Sequence, residues 1–160
     1  MKSRIILTLF ALLLFAACEK QPDQYPDEPQ IYYKNTTPRT IGIEDTTVIK
    51  ILFGFTDGDG NIGWDENRMA IFAYNVFDPK DTTRRRDTFA FPFPNVPDNM
   101  RPRKGGLTGD AYLNLGNQFF TLDSLHRVYG GDTVVFNIYI KDEADNMSNI
   151  ITTDSIFVRK

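Results

Sequence analysis

The chain is poor in the residues that carry most protein chemistry: among its 160 residues there is one cysteine, one histidine and one tryptophan. With Cys18 alone, the folded part has no internal disulfide, no thiolate zinc site and no cysteine nucleophile, so its stability must come from packing. The single histidine, His126, stands beside Ser124 and Asp123 in residues 122–129, a stretch that reads as one or two helical turns. Residues so close on one helix cannot converge as nucleophile, base and orienter, so His126 reads as a surface side chain. One tryptophan gives little to a sugar-stacking platform. Glycine pairs 105–106 and 130–131 precede strand-like segments instead of helices, which excludes a phosphate-cradling loop. No pair of acids is marked out by an apolar setting that would raise a pKa for acid–base work. The chain is therefore expected to be no enzyme. Its 21 acidic against 18 basic residues also argue against a nucleic-acid partner.

Long apolar runs are absent too, except at the start. Residues 5–17 form an apolar stretch broken only by Thr8, preceded by Lys2 and Arg4 and closed by Ala16-Ala17-Cys18. Such a run is short for a membrane span and has the three-part layout of an export signal. The small residues before Cys18 resemble the lipobox of bacterial lipoproteins, with Phe15 where that family usually has Leu. The resemblance implies cleavage before Cys18, a lipid-modified cysteine as the first mature residue, and an outer-membrane protein held by its lipid on the periplasmic or the cell-surface face. Two or more acyl chains suffice for stable anchoring without a spanning helix.

Residues 19–38 contain Pro22, Pro26, Pro29 and Pro38 among acidic and amide side chains, with little to bury beyond Ile31, Tyr32 and Tyr33. That composition predicts a tether over 18–38, in which 31–33 can still pair as an edge strand. Residues 39–160 are then the folded domain. Residues 46–56 alternate Ile49, Ile51, Phe53 and Phe55 against Val48, Lys50, Leu52 and Gly54, the period of a half-buried strand. The same rule predicts strands over 69–77, 88–93, 111–115, 119–122, 133–141 and 150–158. Short strands separated by Gly, Pro, Asn and Asp clusters point to an all-β antiparallel sandwich of about seven strands, immunoglobulin-like or fibronectin-like, with at most one short helix. A closed barrel is the competing arrangement.

The most distinctive internal stretch is 57–65, Asp-Gly-Asp-Gly-Asn-Ile-Gly-Trp-Asp. Oxygen-bearing side chains at alternate positions, with glycines between them, suit a hard cation. An EF-hand is excluded, because its sixth position is Ile62 and its twelfth is Arg68. What remains is a structural calcium loop on a β scaffold, using Asp57, Asp59, Asn61 and Asp65. The alternative is a tight connection built from glycine and Asx turns, with Ile62 and Trp64 tucked into the core.

Two further features bear on partners. Phe89, Phe91 and Phe93 alternate before Pro94 and Pro97, either as sandwich interior or as an exposed aromatic groove at an edge. Arg84, Arg85 and Arg86, with Arg101, Arg103 and Lys104 further on, form either a solvated hairpin tip or a docking site for acidic groups. The stretches Asp45-Thr46-Thr47 and Asp81-Thr82-Thr83 resemble Bacteroidetes O-glycosylation sites, which would modify Thr46 and Thr82. The stretch 131–149, with Asp142, Asp145, Asn146 and Ser148, looks like the closing hairpin of bacterial immunoglobulin-like domains, with Asp145 where they tend to have Gly. Together with the 57–63 motif it resembles small Bacteroidetes lipoproteins. The resemblance implies an accessory or binding subunit that sits with an envelope protein, or else a module for a soluble glycan or peptide.

Overall fold

The computed structural model describes residues 25–42, 46–64, 67–76, 88–101, 105–116, 119 and 131–159. They form nine strands: β1 (Gln30–Thr37), β2 (Thr40–Gly42), β3 (Ile49–Asp57), β4 (Met69–Val76), β5 (Thr88–Pro92), β6 (Leu107–Leu115), β7 (Gly131–Ile140), β8 (Ile151–Thr152) and β9 (Ile156–Arg159). One sheet has the order β1-β3-β6, the other β2-β9-β7-β4-β5 with β8 also on β7. Every pairing is antiparallel except β2 with β9. The fold is thus all-β and two-layered, and its strand order is that of an immunoglobulin-like sandwich, with a first strand that switches sheets. The switch occurs at Pro38, after a cis Thr37–Pro38 peptide. Among the described residues no helix is long and apolar enough to cross a membrane.

Period-two alternation builds the core directly. On β3 the odd positions Ile49, Ile51, Phe53 and Phe55 are buried, and on β7 Val134, Phe136, Ile138 and Ile140 are buried opposite them. Ile71 and Ala73 of β4, Ala111, Leu113 and Leu115 of β6, and Ile156 and Val158 of β9 complete the interior. These side chains supply the apolar burial that replaces disulfide bonds as the source of stability.

Several strands differ from the sequence expectation. β1 begins at Gln30 and reaches Thr37, inside the segment read as a tether, and Ile31 and Thr36 on it are buried. A register shift between Tyr33 and Asn35 breaks its alternation, which hid the second half of the strand from a period-two reading. β6 starts four residues earlier than 111, at Leu107. The single strand expected over 150–158 is two, because the register on β7 slips between Ile156 and Thr152. At the slip Thr153 inserts its side chain: Phe136 N–H donates to Thr153 Oγ1 at 3.0 Å, and Thr153 N–H donates to the Phe136 carbonyl at 2.9 Å. Of the strand expected over 119–122 only Phe119 is described, and it lies outside any strand, packed on Phe89 and Phe91. The helical candidate 122–129, with His126, lies outside the described residues.

The topology brings four segments to one pole. β3 ends where β4 begins; β5 and β7 run antiparallel to β4 and so end there, and β1, antiparallel to β3, starts there. That pole therefore gathers residues 25–29, the β3–β4 connection, the β5–β6 connection and the β7–β8 connection.

Candidate functional site

At this pole β3 delivers Asp57 to the inward position that follows Phe55, so a carboxylate occupies the last core-facing site of the strand. The side chain is completely buried. Gly58 passes directly under the incoming chain: its N–H donates to the Pro26 carbonyl at 2.7 Å, and a Cβ there would lie 2.3 Å from the Tyr25 carbonyl oxygen. Only glycine fits so close a backbone crossing. Gly63 has φ 73°, again a glycine conformation. Between them Ile62 plugs into the core, and its N–H donates to Asp57 Oδ2 at 3.0 Å. The tight-connection reading of this loop is therefore right about Ile62.

It is not right about Trp64, which is 53% exposed. The indole is held from outside the loop: the Arg101 guanidinium stacks 3.6 Å from its ring centroid. The same guanidinium donates to the carbonyls of Val96 through Nε at 3.1 Å, Gly60 through Nη1 at 2.7 Å and Gly63 through Nη2 at 2.8 Å. Arg101 thus clamps the β3–β4 connection to the β5–β6 connection. Removing it strips three carbonyls of a charged donor, so Arg101→Ala is expected to destabilise the domain by roughly 1–3 kcal/mol. Urea denaturation followed by the emission of Trp64, the chain's only tryptophan, measures both effects: a lower midpoint, and altered emission already in the folded state. An unchanged folded-state spectrum would mean the stack does not persist in solution.

The β7–β8 connection adds a second buried carboxylate, Asp142, that the sequence did not single out as a ligand. Its Oδ1 accepts from Asn146 N–H and its Oδ2 from Asn146 Nδ2, both at 2.8 Å. Asp145 takes φ 67°, a left-handed conformation that Asp tolerates better than most residues. Arg68 holds this loop to the other by donating to the Glu143 carbonyl at 2.8 Å, Glu143 Oε2 at 2.9 Å and Asp145 Oδ1 at 3.0 Å.

Carboxylate oxygens of Asp57, Asp59 and Asp142 all lie within 4.8 Å of one another. Asp59 turns both oxygens toward Asn61, accepting from its N–H at 3.3 Å and its Nδ2 at 2.7 Å, which fixes the amide and leaves Asn61 Oδ1 free. Asn61 Oδ1 and Asp57 Oδ1 are both buried without a hydrogen-bond partner. Among the described residues, no lysine or arginine forms an ion pair with any of the three carboxylates. Burial pushes the Asp57 carboxyl up to about 7, the negative charges of Asp59 and Asp142 add to the rise, and the backbone N–H groups of Ile62 and Asn61 oppose it. The electron-pair donors that the Asp57, Asp59, Asn61 and Asp142 side chains offer are all oxygens, the ligands that hard cations take. Of the four residues in the sequence-based ligand set, Asp57, Asp59 and Asn61 come together, and Asp65 lies outside the described residues. Asp142 was open to inference only from strand order, since the acids at and just beyond the ends of β3 and β7 meet once those two strands end at one pole.

Beside the carboxylates lies a cleft of about 310 Å³ lined by Asp59, Gly60, Trp64, Asp98, Arg101 and Leu107, among others. Phe89, Phe91 and Phe93 turn toward the core, with Phe89 and Phe91 only partly buried. Phe93 is buried, edge-on to Phe55 at 5.0 Å, and Phe89 and Phe91 pack against the core, because β5 pairs them with Ala73 and Ile71 on the inward face of β4. Thr46 is exposed just before β3, whereas Cys18, Thr82, Arg84, Arg85 and Arg86 lie outside the described residues.

Fold and site together define an immunoglobulin-like sandwich whose loop pole is lined with carboxylates. No protein-family model matches the chain, and no curated protein or solved structure is significantly similar to it.

Proposed function

We propose that the chain is a lipid-anchored, non-enzymatic module of the bacterial outer membrane that serves as a binding or accessory subunit of an envelope assembly. The observation that carries this reading is the apolar run closed by Ala16-Ala17-Cys18, with that cysteine the only one in the chain. The tether fits the role. From Cys18 to the first residue of β1 the chain reaches at most about 40 Å, which keeps the domain within protein–protein distance of the membrane surface. Its last residues, through Pro26, are hydrogen-bonded to Gly58, so the segment that would lead to the lipid joins the sandwich at its carboxylate pole.

A second reading, a module for a soluble glycan or peptide, is favoured by one observation: the cleft in which Trp64 and Arg101 stand beside Asp59 and Asp98. A pulldown of the full-length protein from native membranes in mild detergent, followed by mass spectrometry, separates the two. The accessory-subunit reading expects stoichiometric recovery of an outer-membrane protein; recovery of the chain alone would favour the ligand binder. The anchor itself is tested by Cys18→Ala, which is expected to move the protein from the membrane fraction to the soluble fraction. Retention of that variant in membranes would sink the lipid assignment.

A further inference from the structure

We infer that the loop pole binds one divalent cation of the calcium type through Asp57, Asp59, Asn61 and Asp142, and that the ion ties the β3–β4 connection to the β7–β8 connection. The inference does not depend on lipid anchoring or on the identity of any partner.

Two independent observations support it. The first is convergence: oxygens from two separate loops, brought together only by the strand order, lie within 4.8 Å of one another. The second is the orphan chemistry at the centre. Asp57 is completely buried and its Oδ1 accepts no well-formed hydrogen bond, the Asn61 N–H going to Asp59 instead, although a buried acceptor that lacks a partner is costly. Asn61 Oδ1, oriented by the grip of Asp59 on its amide nitrogen, is orphaned in the same way. A tight turn accounts for the glycines and for the Ile62 N–H on Asp57 Oδ2. It does not account for two buried oxygens left without hydrogen, nor for Asp142 being brought up to a carboxylate pair.

The donor set selects the ion. Three carboxylates and an amide oxygen, with no nitrogen or sulfur ligand among them, exclude the preferred surroundings of zinc and copper. Calcium takes six to eight oxygens in flexible geometry, so four side chains leave room for backbone carbonyls and water. Magnesium demands a tighter octahedron and gives up its water reluctantly. Asp142 keeps both oxygens hydrogen-bonded to Asn146 and still has lone pairs to offer, so its loop needs no rearrangement to supply a ligand.

The test uses the full-length protein in detergent, melted in chelator, in calcium and in magnesium, with calcium binding measured directly by calorimetry. Calcium at about 100 times its Kd is expected to raise the melting temperature by roughly 8 °C, and magnesium at the same concentration by much less. Asp142→Asn, which preserves shape, is expected to weaken calcium binding at least about tenfold, since removing a charged ligand is one way such sites lower their affinity. Asp110→Asn, an exposed acid on β6 paired with Lys34, serves as control and should leave the response intact. Terbium, a calcium substitute that luminesces when excited through a nearby tryptophan, gives a readout through Trp64 that does not depend on stability. Calcium binding that persists unchanged in Asp142→Asn would overturn the inference, and so would the absence of any calcium or terbium binding to the wild-type protein.

Discussion

Asp57→Asn is expected to raise the melting temperature of the calcium-free protein at pH 8 and, in the same molecule, to abolish its response to calcium. The first effect follows from the folded-state pKa of about 7, against roughly 4 for an aspartate in an unfolded chain. Below pH ~4 the carboxyl is protonated in both states and contributes no difference. Between pH ~4 and ~7 the unfolded chain releases its proton while the folded chain keeps it, so stability falls as pH rises; above about 7 the loss is complete. Three units correspond to about 4 kcal/mol. Asparagine carries no charge to desolvate and keeps an oxygen for the Ile62 N–H, so the variant escapes this fall. Other carboxylates titrate over the same range in both proteins. The measurement is therefore the difference in melting temperature between wild type and variant, in chelator, from pH 4.5 to 8. That difference should grow in the variant's favour up to about pH 7 and then level. A difference that stays flat with pH would mean that Asp57 is ionised at its ordinary pKa in the folded protein. Calcium inverts the comparison, because the carboxylate that is a liability alone becomes the ion's central ligand.

The largest loss of stability is expected from Phe136→Ala. Phe136 is fully buried near the middle of β7, the strand that pairs with β4, β8 and β9, and its ring lies 6.4 Å from that of Phe89. Truncation removes the apolar contact and leaves a void between two sheets that cannot close on it, at a cost of about 3–5 kcal/mol. Single domains have roughly 5–15 kcal/mol in all, so the variant should sit near the limit of folding. Chemical denaturation should show a much lower midpoint with an unchanged slope, the sign of lost stability without a changed denatured state. A loss below about 1 kcal/mol would imply that neighbouring side chains collapse into the space, contrary to the packing described.

How far the fold could be read in advance depended on whether neighbouring residues carried the signal. On β3 and β7 every second residue is apolar and the chain stays in register, so period two marks both the strand and its buried face. β1 and the β8–β9 segment break that period with a bulge. At Thr153 a side-chain hydroxyl takes a bond that the backbone normally accepts, and a threonine in a β-rich sequence looks the same whether or not it does so. The site divides in the same way. Asp57, Asp59 and Asn61 are close in sequence, and their alternation with glycine was visible. Asp142 is reached only through the strand order, and the exposure of Trp64 depends on Arg101, an arginine that in sequence is merely part of a basic cluster.

The crossing at Gly58 also sets how the domain bears mechanical load. The tether enters at the carboxylate pole, and the chain then runs along β1 away from that pole, while β9 ends at Arg159 on the opposite one. With the N-terminus lipid-anchored as proposed, tension between it and anything gripping the far pole would act along the axis of β1. The β1–β3 hydrogen bonds lie perpendicular to that axis, so the pull shears them together and cannot peel them off one at a time. The Gly58–Pro26 bond takes up strain first, just beside Asp57. An ion that locks the two loops would then stiffen the pole through which the force enters.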